Sequence, residues 1–574
     1  MSFQGMIKSL FSQVSNPSAS VLLAAVSCAA IFLSPFIYIG NYAGDSQVHL
    51  IYGLNASQGA FFEFNLGEKS PGVTSPGYML FIASLFKISP DILVPAIVKA
   101  SNLLFWYGLI LLVYLTAKRL FGDSRWALAA ALVSGLLPGS VYNSTIGMEN
   151  GIFGFVVFLW VYLAYRWSWF STKRDPSSST RSELTLGIIL GLSCWLRPEG
   201  FIVAAVALSY RAISSLVRRE DLARTLLLST VFLVPFVILS GGLGYFHYSQ
   251  TGFLLPASGL SRILMSNIAP GSLPLGPISV SAKFAVRLGQ YFPLAVLGLL
   301  GNWALVRGLG ASGGARPILG FLIVLFWSAF ILYSTILGAV HLARYIIFVM
   351  PGLILVSTMA ARWQWDIWRP ARGKLLTYTP RAIIVGFALA LAGVFMLETN
   401  IRIHLDPQSS LWKSMIAPRE TESFSDRLFE QLGQPKELPI SIALQEVQAR
   451  YWLDDRFLVR SMDGRVDPVL LKYATKDGVD HVGYLRERRV DFLLDSPNYN
   501  RDPDRWSLKR LNKLEPGASL TRDGLTFSRL PAGEPAPTPA VNSGLGARWT
   551  DGADGATALD FFVQRLFRVE HGNP

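Results

Sequence analysis

Gly44-Asp45-Ser46, Asn65-Leu66-Gly67-Glu68-Lys69 and Thr74-Ser75-Pro76 mark an acidic, polar stretch directly after the first apolar run, Val21–Ile39. The chain from there to about residue 400 is dominated by apolar runs long enough to cross a bilayer, parted by short charged clusters. A carboxylate on the first outer loop of such a chain suggests chemistry at the lipid–water boundary. It does not suggest a pore.

The composition agrees. Of 574 residues, 51% are hydrophobic, 12% aromatic and only 16% charged, whereas a soluble protein carries about a quarter charged residues. The deficit is confined to residues 21–397; from Glu398 onward charges return at ordinary density. This divides the chain into a membrane domain, 1–400, with its first outer loop at 41–91, and a soluble domain, 401–574, large enough to fold around its own core. The net charge of +13 is placed in short loops at Lys118-Arg119, Arg166–Arg181, Arg211–Arg224, Arg307–Arg316 and Arg362–Arg381. These alternate with loops nearly free of charge, so the excess is a topology signal rather than a nucleic-acid surface. Two cysteines, Cys28 and Cys194, both fall in apolar runs, which leaves no disulfide framework.

Val21–Ile39 is too long for a signal-peptide core and reads as an uncleaved anchor. Further spans are Ile92–Ala117, Trp126–Tyr142, Gly151–Trp167, Leu184–Ser209, Leu226–Tyr245, Leu288–Leu305, Ile318–Leu337, Tyr345–Ala361 and Ile383–Leu397. Arg197-Pro198-Glu199-Gly200 interrupts the run 184–209. Arg and Glu in mid-membrane are expensive, so the run is read as two crossings that turn at the outer face. The total is about eleven spans, an all-α polytopic domain with its N-terminus inside and its C-terminus outside. Pro76–Ile88, apolar but short, is expected as an interfacial or re-entrant helix.

In the second domain Pro439–Leu444, Arg456–Ser461 and Val490–Asp495 read as strands. Gln445–Trp452 and Val482–Arg489 read as helices, which makes a small α/β domain. A Pro- and Ala-rich linker at Pro531–Pro539 opens a flexible tail that leads to an expected helix at Leu559–Val569.

The order of motifs resembles the GT-C superfamily of polyprenyl-phosphate-dependent glycosyltransferases, and within it bacterial cell-envelope enzymes of the arabinofuranosyltransferase and mannosyltransferase type. The pieces that carry the resemblance are Asp45, Asn65-x-Gly67-Glu68-Lys69 and Thr74-Ser75, then Gly147-Met148-Glu149 and Arg197-Pro198-Glu199. Gly252–Pro256 running on to Arg262, and Arg344-Tyr345, complete the series. All fall on expected outer loops. One departure concerns the aspartate pair of that family, reduced here to Gly44-Asp45. If the first acid is the essential base, Glu68 or Glu149 must replace it, or the chain is inactive.

Moving a sugar from a lipid phosphate to a hydroxyl requires a base for the acceptor proton and cations for the departing phosphate. Asp45 is the expected base, the alternative being a helix cap near Ser46. Arg262, Arg344, His341 and Lys69 are candidates for the donor phosphate, since guanidinium suits bidentate phosphate contacts; Arg344 and Lys99 equally suit interfacial snorkelling. Glu68, Glu149, Arg197, Glu199 and His49 are candidates for sugar contacts, with mutual pairing of Arg197 and Glu199 as the structural alternative. The carboxylates and His49 also offer ligands to a divalent cation, at no diagnostic spacing.

The resemblance implies an inverting glycosyltransferase of the inner (plasma) membrane, acting at the extracytoplasmic face. Its partners would be a polyprenyl-phosphate sugar and a glycan, glycolipid or protein acceptor. A lipid-linked-sugar flippase or a non-catalytic envelope scaffold remain the alternatives; the first would be expected to show repeats, and Gly44 speaks for the second.

Overall fold

A computed structural model describes residues 44–136, 143, 146–170, 176–219, 221–254, 256, 284–285, 288–289, 292–306, 316–336, 345–368, 421–435, 439–444, 453–462, 467–475, 478–494, 511, 517–523, 525–530 and 566–571.

Residues 44–91, within the first expected loop, are an ordered unit. Helix α1 (Gly44–Ser57) leads into a hairpin of β1 (Glu63–Asn65) and β2 (Glu68–Lys69), closed through Gly67 at φ +81°, a left-handed conformation suited to glycine. Helix α2 (Pro76–Ile88) follows, with proline in its first turn, where a missing N–H costs nothing. Asn55 Nδ2 donates to the carbonyls of Glu63 (2.9 Å) and Phe64 (3.3 Å), which ties the hairpin to α1.

Among the described residues the apolar body is built from α3 (Val94–Phe121), α4 (Ser124–Leu136), α5 (Asn150–Arg166), α6 (Pro176–Leu196), α7 (Glu199–Val217), α8 (Leu222–Thr251), α9 (Phe292–Val306) and α10 (Arg316–Ile331). A π-helical turn at Leu332–Ile336 and a 3₁₀ turn at Ile347–Val349 precede α11 (Met350–Trp368). Among the described residues four helices are long and apolar enough to cross a membrane: 94–121, 199–217, 222–251 and 317–334. Pro76–Ile88, Asn150–Arg166 and Ile347–Trp363 are shorter apolar helices, and the expected spans Val21–Ile39 and Ile383–Leu397 lie outside the described residues.

Local chemistry explains where these helices stop. α3 ends at Gly122 (φ +66°), with Lys118 and Arg119 in its last turn, where the helix dipole favours cations. Asp221 caps α8 by accepting from the Arg224 N–H. α6 and α8 approach so closely at Gly187 that a Cβ there would stand 2.2 Å from the Phe232 carbonyl. The run 184–209 is indeed two helices, parted at Arg197-Pro198.

Beyond α12 (Thr421–Leu432) lies one six-stranded mixed sheet, in spatial order β4-β3-β7-β10-β9-β8. Its strands are β3 (Ile440–Leu444), β4 (Phe457–Ser461), β7 (Phe492–Leu494), β8 (Ser519–Arg522), β9 (Leu525–Arg529) and β10 (Leu566–His571). β5 (Ala474–Thr475) and β6 (Gly478–Val479) form a separate pair before α13 (His481–Glu487). β3 pairs in parallel with both β4 and β7; the other contacts in the large sheet are antiparallel.

The two faces of the sheet have different partners. Ile442, Phe457, Val459 and Phe492 share a core with Phe62, Phe64, Tyr78 and Met79 of the first outer loop. Ala443, Leu493, Phe527, Phe567 and Val569 face the other way, onto Val482 and Leu485 of α13. The sheet and the first loop are thus sealed by one apolar layer, each fully buried large side chain contributing about 1.5–3 kcal/mol.

One sequence expectation changes. Residues 566–569, the end of the helix expected at Leu559–Val569, belong to strand β10, because Phe567 and Val569 alternate onto the core while the strand pairs with both β7 and β9. The hairpin β8–β9, unread in sequence, turns at Asp523, whose φ is +48°. The expected helix 445–452, the linker at 531–539 and residues 559–565 lie outside the described residues.

Candidate active site

Asp45 stands half-buried in the first turn of α1, where the aligned peptide dipoles favour an anion. His49 follows four residues on, at the spacing that stacks side chains on one helix face. Ser46 Oγ donates to the Ile146 carbonyl at 2.5 Å. His49 Nε2 lies 3.3 Å from Glu149 Oε2, and its ring meets Tyr78 edge-on at 5.5 Å. Tyr78 donates its hydroxyl to the Gly147 carbonyl at 2.9 Å and accepts from Asn102 Nδ2 at 2.9 Å. Gly147 adopts φ +78°, so the turn that delivers Glu149 needs glycine.

Arg197 is the hub beneath α1. Its guanidinium donates to Glu149 Oε1 at 2.6 Å, to Asn150 Oδ1 at 2.5 Å and in a fork to Glu199, through Nη2 to Oε1 at 2.7 Å and Nε to Oε2 at 3.1 Å. Tyr345 presents its ring 5.8 Å from the guanidinium carbon. Glu149 is 1%, Glu199 2% and Arg197 6% exposed. Charges this deep persist only when paired and hydrogen-bonded. Burial alone would raise the Glu149 carboxyl, but Arg197 and His49 outweigh it and hold its pKa down at about 2.

Glu149 is buried, with one oxygen turned to Arg197 and the other to His49 of α1. The two motif steps Gly147-Met148-Glu149 and Arg197-Pro198-Glu199 therefore form one buried cluster, in which Arg197 and Glu199 pair as the structural alternative anticipated.

Glu68 and Lys69 stand apart from that cluster. Lys69 Nζ donates to the Phe61 carbonyl at 2.8 Å and pairs with Glu63 at 3.0 Å, with its side chain 42% exposed. Glu68 receives both terminal nitrogens of Arg460 from β4, one of them at 3.0 Å. Half-burial would raise its carboxyl, yet the Arg460 fork holds it below the ordinary carboxylate value. Beside it, Asn65 donates to the Val459 carbonyl and accepts from the Val459 N–H, both at 3.0 Å. Arg460 was missed in sequence. Its signal was a charged residue inside the otherwise apolar strand Phe457-Leu458-Val459-Arg460-Ser461, where a buried guanidinium demands a partner.

Arg262, His341 and Arg344 lie outside the described residues. Lys99 is buried in the second turn of α3. Among the described residues no group of three His, Cys, Asp or Glu side chains is gathered to hold a metal ion.

No family model matches the chain, and neither does any curated protein. Solved structures do. The oligosaccharyltransferase of Archaeoglobus fulgidus, in its apo form, is similar at TM-score 0.51 and 12% identity, over 83% of this chain and 70% of that one. ArnT from Cupriavidus metallidurans bound to undecaprenyl phosphate matches at TM-score 0.50 and 12% identity, over 85% of this chain and 94% of that one. Apo ArnT matches at 0.51 and 14%, over 84% and 94%. The likeness carries the fold: this chain shares the overall architecture of these solved structures.

Proposed function

We propose that this protein is a membrane glycosyltransferase that moves one sugar from a polyprenyl phosphate to a hydroxyl acceptor at the extracytoplasmic face. The observation that carries the reading is Asp45 at the N-terminus of α1, one helical turn from the buried His49–Glu149–Arg197–Glu199 cluster. The cluster fixes α1 and the Arg197 turn against each other, which sets where Asp45 stands. Holding a base in position is what converts a slow encounter into an efficient step.

In the proposed reaction Asp45 takes the acceptor proton as the acceptor oxygen attacks the anomeric carbon. The bond from that carbon to the phosphate oxygen breaks on the opposite side, so the centre inverts. The lipid phosphate leaves with the electron pair and is met by Arg262, Arg344 and His341. Lys69, paired with Glu63 on the hairpin, is a further phosphate candidate. Glu149, Glu199 and Arg197 act mainly by position, since their charges are already spent on one another. His49 is the cluster member on the Asp45 face of α1 and the one best suited to meet a sugar hydroxyl. The fold of ArnT, whose structure holds undecaprenyl phosphate, supports a lipid-phosphate donor. The sugar and the acceptor belong to the cell envelope in this reading, with arabinofuranosyl or mannosyl transfer as its specific form. Residues 1–400 form the membrane domain and 401–574 the extracytoplasmic one.

The deciding experiment uses the purified protein in liposomes with radiolabelled polyprenyl-phosphate arabinose or mannose and a delipidated envelope fraction. Transfer of label to the fraction, lost in Asp45→Asn, is the expected result. Label that crosses the bilayer still attached to lipid would make the protein a flippase. Label that stays put with every donor would make it a scaffold.

A further inference from the structure

The geometry points to Arg460 of the C-terminal sheet as a positioning residue for α1, so that the sheet domain is a working part of the candidate active site rather than an appendage. The inference rests on the catalytic reading for its consequence but not for its test.

Among the described residues β4 is the edge of the sheet: β3 flanks it on one side and no strand on the other. An edge strand presents unpaired backbone groups. At Val459 both of them, the N–H and the carbonyl, are taken by the side-chain amide of Asn65 at 3.0 Å each. A carboxamide offers one donor face and one acceptor face, so it stands in for the next strand. One residue further along β4, the Arg460 guanidinium closes its fork on Glu68. Asn65 Nδ2 also lies 3.4 Å from Glu68 Oε2, which joins the two contacts into one patch. The Arg460 side chain is only 7% exposed and reaches Ser441 Oγ at 3.3 Å with Nε, so it is fixed from behind before it meets the loop.

From this patch a chain of bonds leads to the base. β1 and β2 carry Asn65 and Glu68. Asn55 in the last turn of α1 donates to the carbonyls of Glu63 and Phe64, on β1 itself. Tyr52, one turn back on α1, shares a hydrogen bond at 2.6 Å with Ser70, just past β2. Asp45 and His49 sit at the other end of the same rigid helix. Helix α1 is thereby anchored twice: at its start by the Glu149–Arg197 cluster, at its end by a hairpin clamped to β4. Glu68, which the sequence offered for sugar contacts, and Asn65 beside it are engaged by the sheet. Their spacing, with glycine at Gly67 to turn the hairpin, is what two adjacent residues of an extended strand require.

The test is amide hydrogen exchange on the full-length protein in detergent micelles, read on peptides from 46–57, 63–69 and 98–118. Arg460→Ala and Glu68→Ala should each raise exchange about tenfold in 46–57 as well as in 63–69, equivalent to about 1.4 kcal/mol of local opening. Peptides from α3 should not change. Arg460→Lys should restore part of the protection, and the exchanged pair Glu68→Arg with Arg460→Glu most of it. Faster exchange confined to 63–69 would overturn the proposal, because α1 would then be indifferent to the sheet. Equal exchange in the singles and in the exchanged pair would overturn it too, because the loss would reflect general unfolding. Neither outcome depends on turnover, so the failure of the glycosyltransferase reading would be seen separately, as absence of transfer in the wild type.

Discussion

Arg197 and Glu149, 48 positions apart in sequence, bind at 2.6 Å in the interior, and the same guanidinium also forks onto Glu199. One cation thus serves two buried anions, with His49 as the fourth member. Such a cluster is costly to desolvate and costlier to break, because each partner removed leaves another stranded.

Arg197→Met is expected to destabilise the protein by about 3–5 kcal/mol, the range for a buried pair that loses one member. Arg197→Lys should recover only part, since an ammonium cannot fork onto Glu199 while reaching Glu149 and Asn150. Thermal unfolding in detergent checks both. A melting point unchanged in Arg197→Met would mean that the cluster holds nothing together.

Asp45→Asn keeps the shape of the side chain and removes its ability to take a proton. A general base contributes about 10²- to 10⁴-fold, so turnover should fall by that order while the melting point holds. Glu149→Gln should lose stability as well as activity, because it leaves Arg197 underpaired. Full activity in Asp45→Asn would move the base elsewhere, in keeping with glycine at position 44.

Arg262→Ala and Arg344→Ala should weaken donor use while leaving the fold intact. Each removes a charge-assisted contact of about 1.5–3 kcal/mol, and lysine should restore only part. Titration with a polyprenyl phosphate in nanodiscs reads this directly. Wild-type affinity in both variants would leave these arginines as interfacial anchors.

Acid should release the sheet from the loop. The folded carboxyl of Glu68 lies below its ordinary value, where half-burial alone would raise it and the Arg460 fork prevails. A depressed carboxyl contributes stability that is complete above the unfolded pKa and is lost as pH falls through the folded one. The gap in melting point between wild type and Glu68→Gln should therefore be full at neutral pH and close below about pH 4. A gap that widens in acid would contradict the sign.

Topology is checked by single-cysteine labelling after Cys28 and Cys194 are replaced. Positions near Asp45, Arg262 and Asp480 should label from outside, and those in 166–181 only from the cytoplasm. Labelling near Asp480 only after the membrane is permeabilised would invert the protein and remove the proposed site from the outer face.

The features legible in sequence were those set by local physics. Arg197-Pro198-Glu199 had to interrupt an apolar run, and it separates α6 from α7. Pro76 opened a short helix, and β3, β4, β7 and α13 followed from apolar alternation and turn residues. Contacts between distant positions were not legible. Nothing near Glu68 announces Arg460, 392 residues away, and nothing near Asn65 announces the backbone of Val459. β10 shows the same difficulty. Leu566, Phe567 and Val569 suit one face of a helix as well as a strand, and only β7 and β9 beside them decide for the strand.

The shared apolar layer between the first outer loop and the sheet has a consequence in time. Asn65 leaves the ribosome 394 residues before Val459, which at about 5–20 residues per second is a wait of roughly 20–80 seconds. Throughout that interval Phe62 and Phe64 lack the strands that cover them in the finished protein. New chains therefore carry an unfinished first loop, and the protein is completed at its beginning only when its end arrives.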